Sequence, residues 1–183
     1  MSNASLLTST TALASGLLVA RIALGLAMAA HGSQKLFGWF GGHGLAGTGG
    51  FFEALGFRPG RFFAFSAGAT ELTAGLLTAL GLLGPVGPAL MILVMIVAMA
   101  TVHAPNGFFA AKNGIEIPFL YAAGAFALAL AGPGRFSLDA VVGLGYLSTP
   151  TIAWSAVGLA ALAALLNLSL RHTGESPQPH AAA

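Results

Sequence analysis

A bundle of membrane-spanning helices is the fold class this sequence predicts, and three observations predict it. Hydrophobic residues make up 56% of the 183 positions and charged residues 7%, against about 25% charged in an ordinary soluble domain. The mean hydropathy is +0.86. Apolar stretches near the length of about 20 residues that crosses about 30 Å of hydrocarbon recur along the chain, divided by Gly- and Pro-rich joints. The reading is all-α: a polytopic bundle of four core spans and a fifth C-terminal span, with a short interfacial or re-entrant helix in the first loop.

The first span is expected from Leu13 to Phe37, after an N-terminal segment over 1–12. Residues 1–12 carry no Lys or Arg and no small-residue cleavage site follows, so a retained span is expected in place of a signal peptide. Gly16 with Ala20, and Gly25 with Ala29, set small residues four apart, which permits close helix packing. From Gly38 to Gly60 the chain turns glycine-rich and aromatic, which opposes a regular span. Phe51, Phe52, Leu55 and Phe57 with Glu53 form the short helix there. Irregular backbone in that position needs protein or water to satisfy it.

The second span runs from Arg61 to Leu83. The stiff joint Gly84-Pro85-Val86-Gly87-Pro88 makes the third span, Ala89 to Ala104, its antiparallel neighbour. A polar-aromatic loop, NGFFAAKNGIEIP, follows. The fourth span starts after Pro118 and ends at Ala131, where GPGRFSLDA marks a turn with Ser137 or Asp139 as the helix cap. Ile152 to Leu170 is apolar and uncharged, the fifth span. The chain thus divides into a membrane domain over 13–148, an added helix over 149–171 and a tail over 172–183 expected to be disordered.

Composition closes several classes of function. Seven basic and five acidic residues give a net charge of +2 without a basic run or stripe, so nothing supports nucleic-acid binding. There is no cysteine, which removes thiol exchange, thiolate ligation and a cysteine nucleophile. No close ligand spacing supports a metal at the histidines, and no metal site is expected.

Charge in hydrocarbon is costly and needs a partner or a purpose, so Arg21, His31, Lys35, Glu53, Glu71, His103, Asn106 and Glu116 are the candidate site residues. Alternating spans put His31 and Lys35 on the membrane side of His103 and Asn106. The loops carrying His43, Glu53, Arg58, Arg61, Lys112 and Glu116 join them there. At a rise of about 1.5 Å per residue, Arg21 lies about 15 Å below His31, and Glu71 about 15 Å below the start of its own span. A midplane Arg21–Glu71 ion pair follows, serving either helix register or a proton relay. The histidines either bond adjacent loops or hold a ligand. Phe37, Trp39, Phe40, Phe51, Phe52, Phe108 and Phe109 are either an interfacial belt or the walls of a flat apolar pocket of the kind a quinone needs.

The blocks AHGSQKLFGWFGGHGLAGTGGFFEALG, AGATELTAGLLTALGLL, TVHAPNGFFAAKNGIEIP and GPGRFSLDA, in that order from about Arg21 to Ala140, resemble the DoxX family of small bacterial membrane proteins. The resemblance implies a four-helix membrane bundle in a bacterial inner membrane, related to the small subunits of a thiosulfate:quinone oxidoreductase. It also implies links to oxidant defence with soluble partners. Its polar motif positions fall on Arg21, His31, Gly32, Lys35, Gly47, Thr48, Glu71, His103, Asn106 and Glu116. The fifth span departs from the family's usual four.

Orientation stays open at this point. Lys35, Arg58, Arg61, Lys112 and Arg171 face one side and Arg135 the other, which by the positive-inside rule makes the polar face cytoplasmic. The family's commoner cytoplasmic N-terminus implies the reverse. The leading expectation is a quinone-linked subunit in which His31 or His103 contacts a quinone, Lys35 stabilises negative charge, and Arg21 with Glu71 tunes the pocket from below. The rivals are a small proton-coupled transporter and a non-catalytic anchor for a soluble oxidoreductase. The expected partners are the lipid bilayer, a soluble or quinone-linked subunit, or a second copy of the chain.

Overall fold

The computed structural model describes residues 3–172, with side chains from Thr10 onward. Seven α-helices follow one another: α1 (Asn3–Phe37), α2 (Gly44–Ala54), α3 (Gly60–Leu80), α4 (Val86–Ala98), α5 (Glu116–Ala131), α6 (Leu138–Val142) and α7 (Pro150–Ser169). No strand occurs among the described residues. The first helix begins at Asn3, ahead of the expected Leu13, and the tail beyond His172 lies outside the described residues.

Packing centres on α1 and α3, which run antiparallel in close contact because glycines face backbone. A Cβ placed at Gly32 would lie 2.5 Å from Leu72 N, and one at Gly75 only 2.4 Å from Ala29 N. No side chain fits in such a gap. The expected pair Gly25 and Ala29 lies on this seam, whereas Gly16 has nothing within 4 Å of that position and takes no part in it. Met28, Ala74, Met91, Ile92, Met95 and Ala125 fill the core between α1, α3, α4 and α5. Val19, Leu26, Phe62, Leu159, Leu162 and Leu165 stay exposed on the outer faces, as lipid contact requires.

Among the described residues four helices are long and apolar enough to cross a membrane: α1 over Thr10–Phe37, α3, the α4 helix with its continuation to Asn106, and α7. The segment expected to be the fifth span is one of these, and it is α5, the expected fourth, that falls short at 16 residues. At about 1.5 Å per residue it covers roughly 24 Å. It still runs from one end of the bundle to the other. Its entry loop is tied to the end of the α4 segment by Ile115 N–H donating to Gly107 O (3.0 Å), and beyond its exit Asp139 N–H donates to Gly81 O (3.0 Å) at the end of α3.

The ends of α1 and α7, the starts of α3 and α5, and the end of the α4 segment lie together with α2. Here α7 is pinned: the Arg171 side chain donates to Leu55 O and His172 N–H donates to Gly56 O (2.9 Å). The first-loop helix α2 packs on the first turn of α3 through Gly49 and Gly60, and Phe57 just beyond it is 1% exposed. This is the polar face expected from the sequence.

Candidate functional site

Lys35 is near the last turn of α1 and Glu71 is in the middle of α3. Lys35 Nζ donates to Glu71 Oε1 (2.8 Å) and Oε2 (2.6 Å), the one ion pair among the described residues. The expected Arg21–Glu71 pair does not form. Helix register decides this: Gly25 meets Ala79, Gly32 meets Leu72 and Leu36 meets Gly68, so Arg21 falls opposite Gly81 at the far end of α3. Estimating depth from the first residue of each span missed the extra turns by which α3 starts above the level of His31.

The pair borders a cavity of about 250 Å³ between α2, α3, α4 and α7. Phe51, Phe52 and Phe63 supply aromatic wall, Val94 and Val97 aliphatic wall, and Ser66, Thr70, Thr101, His103 and Asn167 the other polar groups. The α4 backbone changes to a π-helical turn over Met99–His103, which carries Thr101 and His103 to the cavity. Such turns are frequent at functional sites. His103 Nδ1 lies 2.9 Å from Asn113 O. A carbonyl only accepts, so Nδ1 carries the proton and Nε2 is the nitrogen left for a guest.

A second cavity of about 420 Å³ adjoins the first and is lined by Gln34, Gly41, Gly42, His43, Gly47 and Thr48. Lys35 and Phe51 line both cavities. The Lys35 side chain keeps 26% exposure while Glu71 keeps 7%, so the ammonium stands between the polar face and the carboxylate.

The remaining candidate residues do not join the cavity. Arg21 is 3% exposed and its Nη2 donates to Phe136 O, while Nε and Nη1 have no hydrogen-bond partner among the described residues. Asp139, 1% exposed, is the opposite charge that acts on it. That carboxylate accepts from Leu83 N–H (2.9 Å) and Gly84 N–H (2.6 Å), and Ser137 alone caps α6 by accepting from Ala140 N–H (3.3 Å). Of the two expected capping candidates, Ser137 is the cap and Asp139 clasps the turn between α3 and α4. His31, hydrogen-bonded at Nδ1 to Gln34 Oε1 (3.2 Å), sits edge-on to Tyr121 with ring centroids 5.9 Å apart. It shares the polar face with His103 but not the cavity.

Glu53, Asn106 and Glu116 hold loops. Glu53 accepts from Gly60 N–H (3.2 Å) at the start of α3. Asn106 Nδ2 donates to Val102 O (3.1 Å) and Asn113 O (3.2 Å), and Glu116 accepts from Ala110 N–H (2.8 Å), so the α4–α5 loop is folded onto itself. Among the described residues no group of three or more His, Asp or Glu is arranged to hold a metal ion. Sequence reasoning missed Ser66, Thr70 and Asn167. Asn167 carried a visible signal, a carboxamide in an uncharged apolar helix.

Comparison with curated proteins and with solved structures gave no match. The family model described as DoxX matches residues 16–104, which takes in α1, α2, α3 and the α4 segment as far as the π turn, and with them Lys35, Glu71 and His103. With its membrane-length helices, the chain is a multi-pass membrane protein whose residues 16–104 match the DoxX family.

Proposed function

We propose that this protein is a membrane subunit of a quinone-linked redox or oxidant-defence system of a bacterial inner membrane, and that the cavity beside Lys35 and Glu71 receives a quinone ring. The observation that carries the reading is one cavity joining aromatic and aliphatic walls to a Lys35–Glu71 pair and to His103. Its volume of about 250 Å³ is below the roughly 300–1,000 Å³ of sites that enclose a drug-sized ligand. It suits a ring headgroup with the tail left in lipid.

A bound quinone supplies two-electron, two-proton chemistry. His103 accepts a hydrogen bond at Nε2 when neutral and donates there when protonated, so one nitrogen serves both a hydroxyl and a carbonyl. Lys35 holds negative charge, and Glu71 exchanges protons with the second cavity through it. Electrons come from a soluble oxidoreductase partner. The alternative of a small proton-coupled transporter now turns on the Lys35–Glu71 pair in place of Arg21–Glu71.

Calorimetry on the full chain in lipid nanodiscs, titrated with ubiquinone-1 and a short-chain menaquinone analogue, tests this. Saturable binding is expected, weakened about tenfold in His103→Leu by loss of one hydrogen bond of about 1.4 kcal/mol. Absence of binding by the unaltered chain overturns the proposal.

A further inference from the structure

Resting on the reading of this cavity as a binding site, we infer that the C-terminal helix completes it: Asn167 of α7 contacts the oxygen-bearing head of an uncharged lipophilic ligand. The helix lies outside the segment matched by the family, 16–104, yet Asn167 lines the cavity with Lys35, Glu71 and His103. Pro150–Ser169 contains no charged residue, and Asn167 is its one carboxamide. The Asn167 side chain has no hydrogen-bond partner among the described residues. A carboxamide in apolar surroundings seeks a partner, and the cavity is the place from which a guest can supply one.

Its placement does not depend on chance rotation of α7. Arg171 follows Asn167 by four residues, about one helical turn, and the Arg171 side chain is bound to Leu55 O. Leu55 is itself a wall of the cavity. The contact at Leu55 and that of His172 N–H with Gly56 O therefore hold the Asn167 side of α7 towards the guest.

The chemistry of the lining selects the ligand class. The charges of Lys35 and Glu71 cancel, so a charged head finds no unpaired counter-ion there. Asn167 offers both a donor and an acceptor, and Thr70 adds a hydroxyl. Carbonyl and hydroxyl oxygens on a neutral, largely apolar molecule match both features.

The full chain and Asn167→Leu are purified in mild detergent, their organic extracts are compared by mass spectrometry, and both are titrated with ubiquinone-1. Leucine suits an apolar helix, so the variant's thermal unfolding is expected at or above that of the unaltered chain. The inference expects about tenfold weaker ubiquinone-1 binding in Asn167→Leu, with co-purified neutral lipophile lost in the same proportion. If the unaltered chain ignores ubiquinone-1 but retains another neutral oxygen-bearing lipophile that the variant loses, the quinone reading falls and this inference stands. Equal binding by both proteins overturns the inference and leaves the quinone reading intact. Retention of no such lipophile, together with no ubiquinone-1 binding, overturns both.

Discussion

Lys35 Nζ reaches both carboxylate oxygens of Glu71, at 2.8 and 2.6 Å, across the seam where α1 and α3 touch backbone to backbone. The pair neutralises two charges inside a membrane bundle and places them on the wall of a cavity. Structure and chemistry therefore meet at the same two side chains.

Breaking the pair from one side leaves an uncompensated charge. Lys35→Met should destabilise the protein by about 3 kcal/mol, at the low end of the range for buried pairs because Lys35 keeps some solvent contact. Lys35→Met with Glu71→Leu should recover most of the loss. Thermal unfolding in detergent checks this, and a double variant no better than the single one would show that the ion pair is not the source of the stability.

The α1–α3 seam leaves no room for a side chain. Gly32→Val sets branched carbon against Leu72 backbone and should cost upwards of about 3 kcal/mol or prevent folding, beyond the usual range for overpacking a yielding core. Gly16→Ala, with open space around it, should change stability by less than about 0.5 kcal/mol. Comparable yields and melting points for the two variants would contradict this packing.

Asp139 should matter as much as any charge nearer the cavity. Asp139→Ala leaves the Leu83 and Gly84 amides unpaired and Arg21 without its countercharge, each lost charge-assisted bond being worth about 1.5–3 kcal/mol. Asp139→Asn should recover little, since its single acceptor oxygen serves one amide and its NH₂ group opposes the other. A melting point for Asp139→Asn equal to that of the unaltered chain would remove the clasp from the account of stability.

The two histidines should behave differently. Ubiquinone-1 affinity is expected to fall about tenfold in His103→Leu, whereas His31→Ala should leave it within about twofold, because His31 lies against Tyr121 away from the cavity. Equal losses in both variants, read by the same calorimetric titration, would place a ligand between them instead.

The short α5 can be tested for a full crossing without a background of native thiols, because the chain has no cysteine. Single Lys112→Cys and Arg171→Cys variants should react with a membrane-impermeant maleimide from the same side, and Arg135→Cys from the opposite side. Labelling of Arg135→Cys from the side that labels Lys112→Cys would mean that α5 does not span. The experiment also assigns the polar face to one compartment.

Membrane character, helix type, the short helix of the first loop and the shared polar face were legible in the residues themselves. Apolar length and scarce charge leave few alternatives in hydrocarbon, and loop parity brings span ends together. The resemblance carried by AHGSQKLFGWFGG and TVHAPNG likewise lay in the sequence, and the family match over 16–104 accords with it. What the sequence could not determine was which charge meets which. A helix apolar nearly all round has no periodic face to set its rotation, and counting residues from a guessed span boundary misplaces depth by several turns.

Register was decided by the glycines of α1 and α3, which let the backbones lock with Gly32 at Leu72 and Gly25 at Ala79. That lock gave Glu71 to Lys35 and sent Arg21 to the Asp139 end of the bundle. The π turn that brings His103 to the cavity, and the pinned end of α7 that brings Asn167, are likewise products of tertiary contact. Composition determined the solvent and the all-helical class; close packing, which depends on pairs of residues distant in the chain, decided the site.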